Sequence, residues 1–373
     1  MKIALFANSD WYLYNFRLPL ARSLRSRGDE VVLISPSGPY GPKMIEEGFR
    51  WIDFPLSRMG INPLAELHTI SRLMMVYRRE RPDIAHHFTI KCVLYGGLAA
   101  RGAGGFATVS SLTGLGHLFT SNTLRARISR PFAKMIYRRV LERSTVIFQN
   151  PDDARDFASI GLVRDGRSRV IRGSGVDLVR FRPLENKVNG SGETVLLVGR
   201  LISEKGIGEF VEAARIVRRP RPRTRFLVAG DVDPGNPSSI EQKLLAAWQA
   251  EGIVQFLGHR NDIPALLHAA DLVVLPSYRE GTPRSLLEAA ASGIPLIASD
   301  VPGCREVVRH GANGLLVPPR NAHALAGAIL ELLEDPARRV AMGAKSREIA
   351  VAEFAQESVI RATLDAYTMA LAT

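Results

Sequence analysis

Short apolar or β-branched segments alternate with helical patterns along almost the whole chain, and this alternation occurs twice. The predicted strands lie at 2–8, 30–35, 50–55, 84–88, 106–111, 144–149 and 168–172, and then at 194–199, 224–229, 253–257, 271–275, 294–298 and 314–317. Strands separated by helical segments are typical of βαβ units, which form parallel sheets. The chain is therefore predicted to be an α/β protein with two Rossmann-like domains.

A segment from about 173 to 193 separates the two series and is rich in Gly, Pro, Asn and charged residues, as linkers are. The length of 373 residues also exceeds what one ordinary core needs. We therefore expect an N-terminal domain over 1–185 and a C-terminal domain over 186–355. A last helix over 356–373 is expected to cross back to the first domain. Parallel sheets bind ligands at the carboxyl ends of their strands, so the two domains are expected to face a common cleft.

Neither half carries a Gly-x-Gly-x-x-Gly motif after its first strand, where residues 6–10 and 198–202 stand. The dinucleotide-binding fingerprint is thus missing, and no nicotinamide or flavin cofactor is expected. The two cysteines, Cys92 and Cys304, lie far apart and have no metal or redox spacing. Both are predicted to be buried as small apolar residues.

The window from Glu280 to Glu288 is the most informative one for function. A predicted strand leads through a short loop into a helix, with Thr282 as N-cap, Pro283 as first helical residue and Gly293 as the stop. A helix N-terminus offers unpaired N–H groups and a positive dipole end, which suit a phosphate. The two carboxylates flank this anion site, so we expect them to bind sugar hydroxyls on either side of a diphosphate.

Arg200 and Lys205 lie in one loop after the strand at 194–199. Because both follow the same strand, both can project toward the same ligand. Arginine offers a planar fork of donors for phosphate oxygens, and lysine offers a compact positive charge. The alternative is a pair of solvated surface residues. Together with the window 280–288 in the same domain, the pair predicts a diphosphate clamp.

At these motifs the chain resembles the retaining family 4 glycosyltransferases, which have the GT-B fold. The motifs that carry the resemblance are Gly199-Arg200, Lys205-Gly206, Gly175-Val176-Asp177 with Phe181 and Pro183, Phe256-Leu257-Gly258, Ala270-Asp271 through Pro276-Ser277, the window 280–288, and 311–317. The resemblance implies that Arg200 and Lys205 contact the donor diphosphate. It also implies that Glu280 contacts the donor sugar and Glu288 the ribose of a nucleotide.

The expected donor-binding residues belong to three regions of the second domain, 199–205, 257–260 and 280–288. They are Gly199, Arg200, Lys205, Leu257, Arg260, Glu280, Gly281, Thr282, Pro283, Arg284, Ser285 and Glu288. Arg200, Lys205 and Glu280 are expected to be catalytic. The two cations would stabilise the charge that develops on the leaving diphosphate and so lower the barrier, and Glu280 would contact the donor sugar. Main-chain groups near 257–260 are expected to contact the base, for which the resemblance favours uridine.

The first domain is similar to the branch that extends polyprenyl-diphosphate-linked sugars in bacterial surface glycan synthesis, at residues 15–17, 88–91, 95–96 and 111–116. The expected acceptor-binding residues are Asn15, Arg17, Thr89, Lys91, Thr113, Gly114 and His117. Many family members carry a histidine after the strand that is 106–111 here. This chain does not, and Ser111, Thr113 and His117 all remain candidates to replace it.

Two adjacent histidines, His86 and His87, lie in the strand predicted at 84–88. Neighbouring side chains of a strand point to opposite faces, so at most one of the two can reach a ligand. A hydrogen-bonded position in the core is the simpler expectation. The Asp231-Val232-Asp233 segment has a spacing that some glycosyltransferases use for a divalent metal, but Pro and Gly follow it and a turn explains it.

The formal net charge of +12 comes entirely from the first half, since residues 1–185 contain 28 Lys and Arg against 16 Asp and Glu, and the remainder contains 21 of each. Residues 124–143 hold seven basic residues and one acidic residue, with apolar residues at helical spacing. Such a helix predicts contact with an anionic membrane surface. The alternative is a helix that packs on the sheet and solvates its arginines. The chain lacks an apolar run of about 18 residues and a secretory signal pattern, so a cytoplasmic enzyme, peripheral on the inner face of the membrane, is expected.

These features predict a metal-independent, retaining hexosyltransferase without a cofactor. It is expected to move a hexose or N-acetylhexosamine from a UDP-sugar to a polyprenyl-diphosphate-linked saccharide. One alternative is a GT-B nucleotide-sugar epimerase or phosphorylase, which needs no lipid. The other is a non-enzymatic protein that binds anions or nucleic acid. A nucleic-acid partner is not expected, because no basic stripe with interleaved aromatic residues occurs in the sequence.

Overall fold

The computed structural model describes residues 1–57, 62–112, 134–164, 166–184 and 193–372. The chain forms two compact units. The first comprises Met1–Ser174 together with Val359–Thr373, and the second comprises Gly175–Ser358. Each unit has its own parallel sheet and its own hydrophobic core.

The sheet of the first unit has the strand order β3-β2-β1-β4-β5-β6-β7, with all neighbours parallel. Its strands are β1 (Lys2–Phe6), β2 (Glu30–Ser35), β3 (Arg50–Asp53), β4 (Ile84–Phe88), β5 (Ala107–Leu112), β6 (Ser144–Phe148) and β7 (Ser168–Val170). Its helices include Asp10–Tyr12, Leu18–Ser26, Gly41–Glu46, Pro63–Glu80, Ile90–Ala103 and Pro151–Ser159, with a π-helical turn at Leu13–Arg17.

The sheet of the second unit has the order β10-β9-β8-β11-β12-β13 and is also parallel. Its strands are β8 (Thr194–Val198), β9 (Arg225–Ala229), β10 (Val254–Phe256), β11 (Leu272–Leu275), β12 (Leu296–Ser299) and β13 (Gly314–Val317). Its helices are Ile207–Arg218, Gln242–Glu251, Ile263–Ala269, Arg284–Ala291, Cys304–Val307, Ala322–Glu334 and Pro336–Glu353, with a 3-10 turn at Ser203–Lys205. The helix Gln356–Leu371 follows.

The predicted fold class is confirmed, and each predicted strand has its counterpart in one of the two sheets. The reason is that strands covered by helices on both faces are apolar almost throughout, and such runs stand out in the sequence. In β4 and β11, for example, every residue is buried. Cys92 and Cys304 are free and buried, as predicted.

The segment that begins at Gly175 belongs to the second unit, although residues up to 185 are predicted to belong to the first domain. The Val176 N–H donates to the Phe354 carbonyl at 2.9 Å, and Phe181 is buried in the core of the second unit. The Gly- and Pro-rich composition indicates a linker, but these two apolar anchors fix the segment onto the second unit. The division therefore falls after Ser174.

The C-terminal helix Gln356–Leu371 packs into the core of the first unit through an apolar face that includes Val359, Ala366 and Ala370. Tyr367, on the same face, forms a 2.8 Å hydrogen bond between its hydroxyl and Nδ1 of His86 in β4. This helix therefore completes the first unit, whose other residues end at Ser174.

Replacing Tyr367 with phenylalanine is expected to lower the free energy of unfolding of the first unit by about 1–3 kcal/mol, because Nδ1 of the buried His86 loses its partner. Urea unfolding measures this change. Tyr278→Phe is the matched control, since the Tyr278 hydroxyl donates to Glu209 at 2.7 Å in the second unit and is only partly buried. Equal losses of stability in the two variants would contradict the role given to Tyr367.

Candidate active site

The loops after β8 and β11 meet because these two parallel strands are neighbours in the sheet. Lys205 follows β8, Glu280 follows β11, and Lys205 Nζ lies 2.5 Å from Glu280 Oε1. The two side chains are 19% and 12% exposed. Gly199 lies against the lysine stem, since a methyl group there would be 3.7 Å from Lys205 Cδ. The structure thus brings together three residues that were predicted to bind one ligand.

Two glycines allow the loops of this site to approach each other closely. A Cβ at Gly206, where φ is +70°, would lie 2.2 Å from the carbonyl oxygen of Pro276. A Cβ at Gly303 would lie 1.9 Å from the carbonyl oxygen of Gly281. Both distances are far below van der Waals contact, so the positions of the loops that carry Lys205 and Glu280 depend on glycine at 206 and 303.

The helix after Glu280 spans Arg284–Ala291, and Pro283 is its N-cap with φ −73° and ψ 115°. The predictions of Thr282 as N-cap and Pro283 as first helical residue are therefore wrong by one position. The N–H groups of Leu286 and Leu287 donate to the Pro283 carbonyl, which makes Pro283 the boundary residue. Gly293 follows the helix with φ +72°, as expected for a stop.

Glu288 lies in this helix and accepts a hydrogen bond from Arg284 Nε at 2.8 Å. Its side chain is 12% exposed, against 25% for Arg284. Burial raises the pKa of Glu288, and the charge of Arg284 offsets part of that rise. A carboxylate in such surroundings gains from each hydroxyl that donates to it, because few water molecules compete.

Arg200 lies in the same loop as Lys205, and its Nη1 is 2.5 Å from Asp233 Oδ2. Asn236 Nδ2 also donates to this carboxylate oxygen, at 3.1 Å. Asp233 follows β9, which is the other neighbour of β8 in the sheet. The Asp-x-Asp segment thus supplies an ion-pair partner to Arg200. In the described part of the chain, no group of three or more potential metal-ligating side chains comes together.

The loop after β10 holds the residues predicted to lie near the base. Leu257 donates its N–H to the Val228 carbonyl at 2.8 Å, which extends the pairing of β10 with β9. Arg260 forms two hydrogen bonds with Asp262, at 2.8 and 2.5 Å. Gly281, Thr282 and Ser285 lie in the β11 loop and the first helical turn beside Glu280.

Tyr278 borders the site, although it is not among the residues predicted from the sequence. Its N–H donates to the Glu204 carbonyl at 2.8 Å, and its ring lies 4.5 Å from the guanidinium carbon of Arg320. Its hydroxyl bonds Glu209. The signal in the sequence is an aromatic residue between Ser277 and Glu280, at the carboxyl end of a central strand.

In the first unit, Asn15 and Lys91 are both engaged with neighbouring groups. Asn15 Nδ2 donates to the Trp11 carbonyl at 2.9 Å. Lys91 Nζ lies 2.9 Å from Glu66 Oε1 and 2.6 Å from the Ser57 carbonyl oxygen. The positive charge that was predicted for an acceptor phosphate at Lys91 is therefore partnered by a carboxylate.

Arg17 and Thr89 lie near the carboxyl ends of β1 and β4. Arg17 ends the π-helical turn and is 6% exposed. Thr89 is the N-cap of the helix Ile90–Ala103 and has a φ of +72°. The predictions for Thr113, Gly114 and His117, and those for the first half of 124–143, namely 124–133, fall outside the described residues.

Both histidines of β4 are in the core, as the simpler expectation has it. His86 Nε2 lies 2.7 Å from the Ser111 hydroxyl, and His87 Nε2 lies 3.1 Å from the Tyr77 hydroxyl. Burial lowers the pKa of both rings, that of His87 to about 3. Of the candidates to replace the family histidine, Ser111 is thus bonded to a buried imidazole.

The pH dependence of stability tests whether Glu288 is buried with a raised pKa. A raised pKa means that the folded chain binds this proton more tightly than the unfolded chain does. The stabilising contribution is therefore present at low pH and is lost as the pH rises through the folded-state pKa. Glu288→Gln should gain stability relative to the unmodified chain between acid and neutral pH, while its affinity for a sugar nucleotide falls.

Thermal unfolding across this pH range and titration with UDP-glucose measure the two effects of Glu288→Gln. Glu348→Gln is the matched control, because Glu348 is 66% exposed in its ion pair with Lys345. If Glu288→Gln and Glu348→Gln show the same pH profile of stability and the same affinity for UDP-glucose, Glu288 is not a buried ligand-binding carboxylate.

Two family models match the chain. Residues 182–349 match glycosyl transferases group 1, and residues 2–150 match the glycosyl transferase 4-like family. The chain is 30% identical over 352 residues to N,N'-diacetylbacillosaminyl-diphospho-undecaprenol alpha-1,3-N-acetylgalactosaminyltransferase from Campylobacter jejuni, and the match covers 91% of each chain.

A second relative is the UDP-Gal:alpha-D-GlcNAc-diphosphoundecaprenol alpha-1,3-galactosyltransferase of Escherichia coli, 25% identical over 82% of this chain and 80% of that one. Among solved structures, the sucrose-phosphate synthase of Thermosynechococcus elongatus has a TM-score of 0.82 at 24% identity, over 100% of this chain and 99% of that one. The two chains therefore share their fold over the whole length of both. The chain therefore belongs to the family 4 glycosyltransferases of the GT-B fold.

Proposed function

We propose that this glycosyltransferase moves a hexose or N-acetylhexosamine from a UDP-sugar to a saccharide on a polyprenyl diphosphate, with retention at the anomeric carbon. The observation that carries the donor side is the meeting of Lys205 with Glu280 beside the start of the helix Arg284–Ala291. The acceptor side draws support from the two relatives, whose names specify diphospho-undecaprenol substrates.

The donor diphosphate binds at Lys205, Arg200 and the N–H groups of the first turn of the helix Arg284–Ala291, where it replaces Glu280 and Asp233 as the partner of the two cations. As the bond between the anomeric carbon and the diphosphate oxygen breaks, negative charge grows on the diphosphate, and these groups stabilise it. The acceptor hydroxyl oxygen then bonds to the anomeric carbon, and its proton moves to the departing phosphate. Glu280 orients the donor sugar through its hydroxyls, and Glu288 holds the ribose.

The reaction is proposed to need no metal. Two cationic side chains and a helix N-terminus supply positive charge at the site. Asp233 of the Asp-x-Asp segment is already paired with Arg200. Addition of EDTA followed by Mg²⁺ tests this point, and the proposal expects equal rates in the two conditions. A rate that depends on the added cation would contradict it.

The enzyme is proposed to act at the inner face of the cytoplasmic membrane as a peripheral protein. Within the described ranges, no helix is both long and apolar enough to span a bilayer. Residues 134–141 are helical, with Tyr137 and Val140 buried and Lys134, Arg138 and Arg139 exposed. Co-sedimentation with anionic vesicles, lost at high salt and absent with neutral vesicles, is the expected result. Equal behaviour with both kinds of vesicle would remove this part of the proposal.

The transfer reaction is tested by incubating the enzyme with UDP-sugars and a short-chain prenyl-diphosphate saccharide, and by determining the anomeric configuration of the product by NMR. An α-linked product from an α-linked donor is expected. Formation of an epimer from UDP-sugar alone would favour an epimerase instead. Salt-sensitive DNA binding without affinity for any sugar nucleotide would favour a binding protein.

A further inference from the structure

Arg17 is a buried arginine without a carboxylate partner among the described residues. Its Nη2 donates to the Tyr12 hydroxyl at 2.7 Å, and its Nε is buried without a hydrogen-bond partner. The guanidinium carbon lies 4.4 Å from the centre of the Phe88 ring and 5.3 Å from that of Tyr12. With 6% of its surface exposed, the residue carries a charge that the protein itself does not neutralise within the described ranges.

Such an arrangement is unfavourable unless a counter-ion arrives. A buried charge that is not paired loses its hydration free energy. The contacts with two aromatic rings recover only part of that free energy. The unpartnered Nε–H adds the penalty of a lost hydrogen bond. A guanidinium group with a spare donor is well suited to an oxyanion, since its fork matches phosphate oxygens.

The location of Arg17 fits a ligand site. Phe88 ends β4, next to β1 in the sheet, and parallel sheets bind ligands at the carboxyl ends of their strands. Thr89 follows with a strained φ of +72°, and then the helix Ile90–Ala103 begins. The N-terminus of this helix adds a positive dipole end to the charge of Arg17. The π-helical turn that ends at Arg17 is a further irregularity of the kind found at functional sites.

A comparison with Lys91 distinguishes the two cations near this edge. Lys91 is neutralised by Glu66 at 2.9 Å, whereas no acidic side chain in the described residues pairs with Arg17. An incoming anion would have to compete with Glu66 for Lys91. At Arg17 it would meet an uncompensated charge.

We propose that Arg17 binds a phosphate oxygen of the acceptor's diphosphate and is the principal phosphate-binding residue of the first unit, in place of Lys91. The existence of the anion site rests on the contacts of Arg17. The identification of its ligand as the lipid-linked diphosphate rests on the function proposed above.

The first experiment tests the anion site with inorganic pyrophosphate, measured by titration calorimetry in the presence of excess UDP so that the donor site contributes equally. Arg17→Met should weaken pyrophosphate binding about ten- to hundredfold, the range for a charged hydrogen bond. The same variant should keep or raise the melting temperature, because an apolar side chain of similar length replaces an uncompensated buried charge. Arg22→Met is the control, because Arg22 is 52% exposed in its ion pair with Glu47, and its pyrophosphate affinity should stay within a factor of about three, or roughly 0.6 kcal/mol. Lys91→Met should weaken pyrophosphate binding less than Arg17→Met does.

Two results would overturn the anion site. One is unchanged pyrophosphate affinity in Arg17→Met. The other is a loss of folding in that variant, which would assign Arg17 a structural role. Arg17→Lys provides a second reading, because it keeps the charge but loses the fork, and should bind pyrophosphate about tenfold more weakly. Equal affinity in Arg17→Lys and the unmodified chain would contradict the proposed geometry.

The second experiment identifies the source of the phosphate. Transfer is measured to a prenyl-diphosphate saccharide and to the same saccharide on a neutral alkyl group. Arg17→Met should lower kcat/KM about ten- to hundredfold for the diphosphate acceptor only. Equal losses for both acceptors would overturn the assignment to the acceptor diphosphate. If neither acceptor is used, the proposed function fails, and the pyrophosphate titration still decides the anion site.

Discussion

Lys205→Ala is expected to lower kcat by about 10²–10³, because it removes a cation that stabilises the charge developing on the leaving diphosphate. Lys205 lies in the loop after β8, and its Nζ is 2.5 Å from Glu280 Oε1. Steady-state rates of UDP release with saturating donor and acceptor measure the effect. The acceptor KM should change little, because the residue is expected to contact the donor.

The matched control for this variant is Lys345→Ala. Lys345 is an exposed lysine on the helix Pro336–Glu353 of the same unit, and its ion pair with Glu348 lies on the surface. Its removal should leave kcat unchanged, because Lys345 is not among the residues of the candidate site and an exposed ion pair contributes little to stability. Near-normal turnover in Lys205→Ala would refute the diphosphate clamp, provided that the variant is folded by circular dichroism.

Gly303→Ala is expected to lower kcat/KM for the donor about 10²-fold although residue 303 carries no chemistry. A Cβ there would lie 1.9 Å from the Gly281 carbonyl oxygen and 2.7 Å from that of Glu280. The loop must therefore move by an ångström or more, and a displacement of about 1 Å at a binding group costs about this factor. The free energy of unfolding should fall by about 1–3 kcal/mol through overpacking.

Gly327→Ala controls for the addition of a methyl group as such. Gly327 lies in the helix Ala322–Glu334, and a Cβ there would meet nothing within 4 Å. That variant should retain full activity and gain a little stability from helix propensity. If Gly303→Ala is as active as Gly327→Ala, the close approach of the two loops has no role in the reaction.

The fold was largely predictable from the sequence. Each strand of the two parallel sheets is a short apolar run, because helices cover both faces. The meeting of Lys205 with Glu280 was also predictable, since β8 and β11 follow the strand order that such domains share and their loops emerge at one edge.

The partners of individual side chains were less predictable. Asp233 begins a turn, as predicted, since the Asn236 N–H donates to its carbonyl at 3.0 Å. Its carboxylate also pairs with Arg200, because β9 flanks β8 on the side opposite to β11. Lys91, which is expected to bind a phosphate, pairs with Glu66 on the separate helix Pro63–Glu80, a partner that the sequence does not indicate. Such pairs depend on how two elements distant in sequence pack, and no local pattern specifies that distance.

Boundaries were the other weak point. Pro283 is an N-cap instead of the first helical residue, because its ψ of 115° is extended. The second unit begins at Gly175, because Val176 and Phe181 anchor a segment whose composition indicates a linker. In both places a tertiary contact or one backbone angle decides the boundary, and composition does not report either.

The most direct test of the central claim, that the second unit holds a nucleotide's diphosphate between Lys205 and the start of the helix Arg284–Ala291, is a calorimetric comparison of UDP with uridine. We predict that UDP binds at least about tenfold more tightly, as expected for charged hydrogen bonds to the phosphates, and that Lys205→Ala removes most of this difference. Equal affinities for UDP and uridine in the unmodified protein would contradict the account.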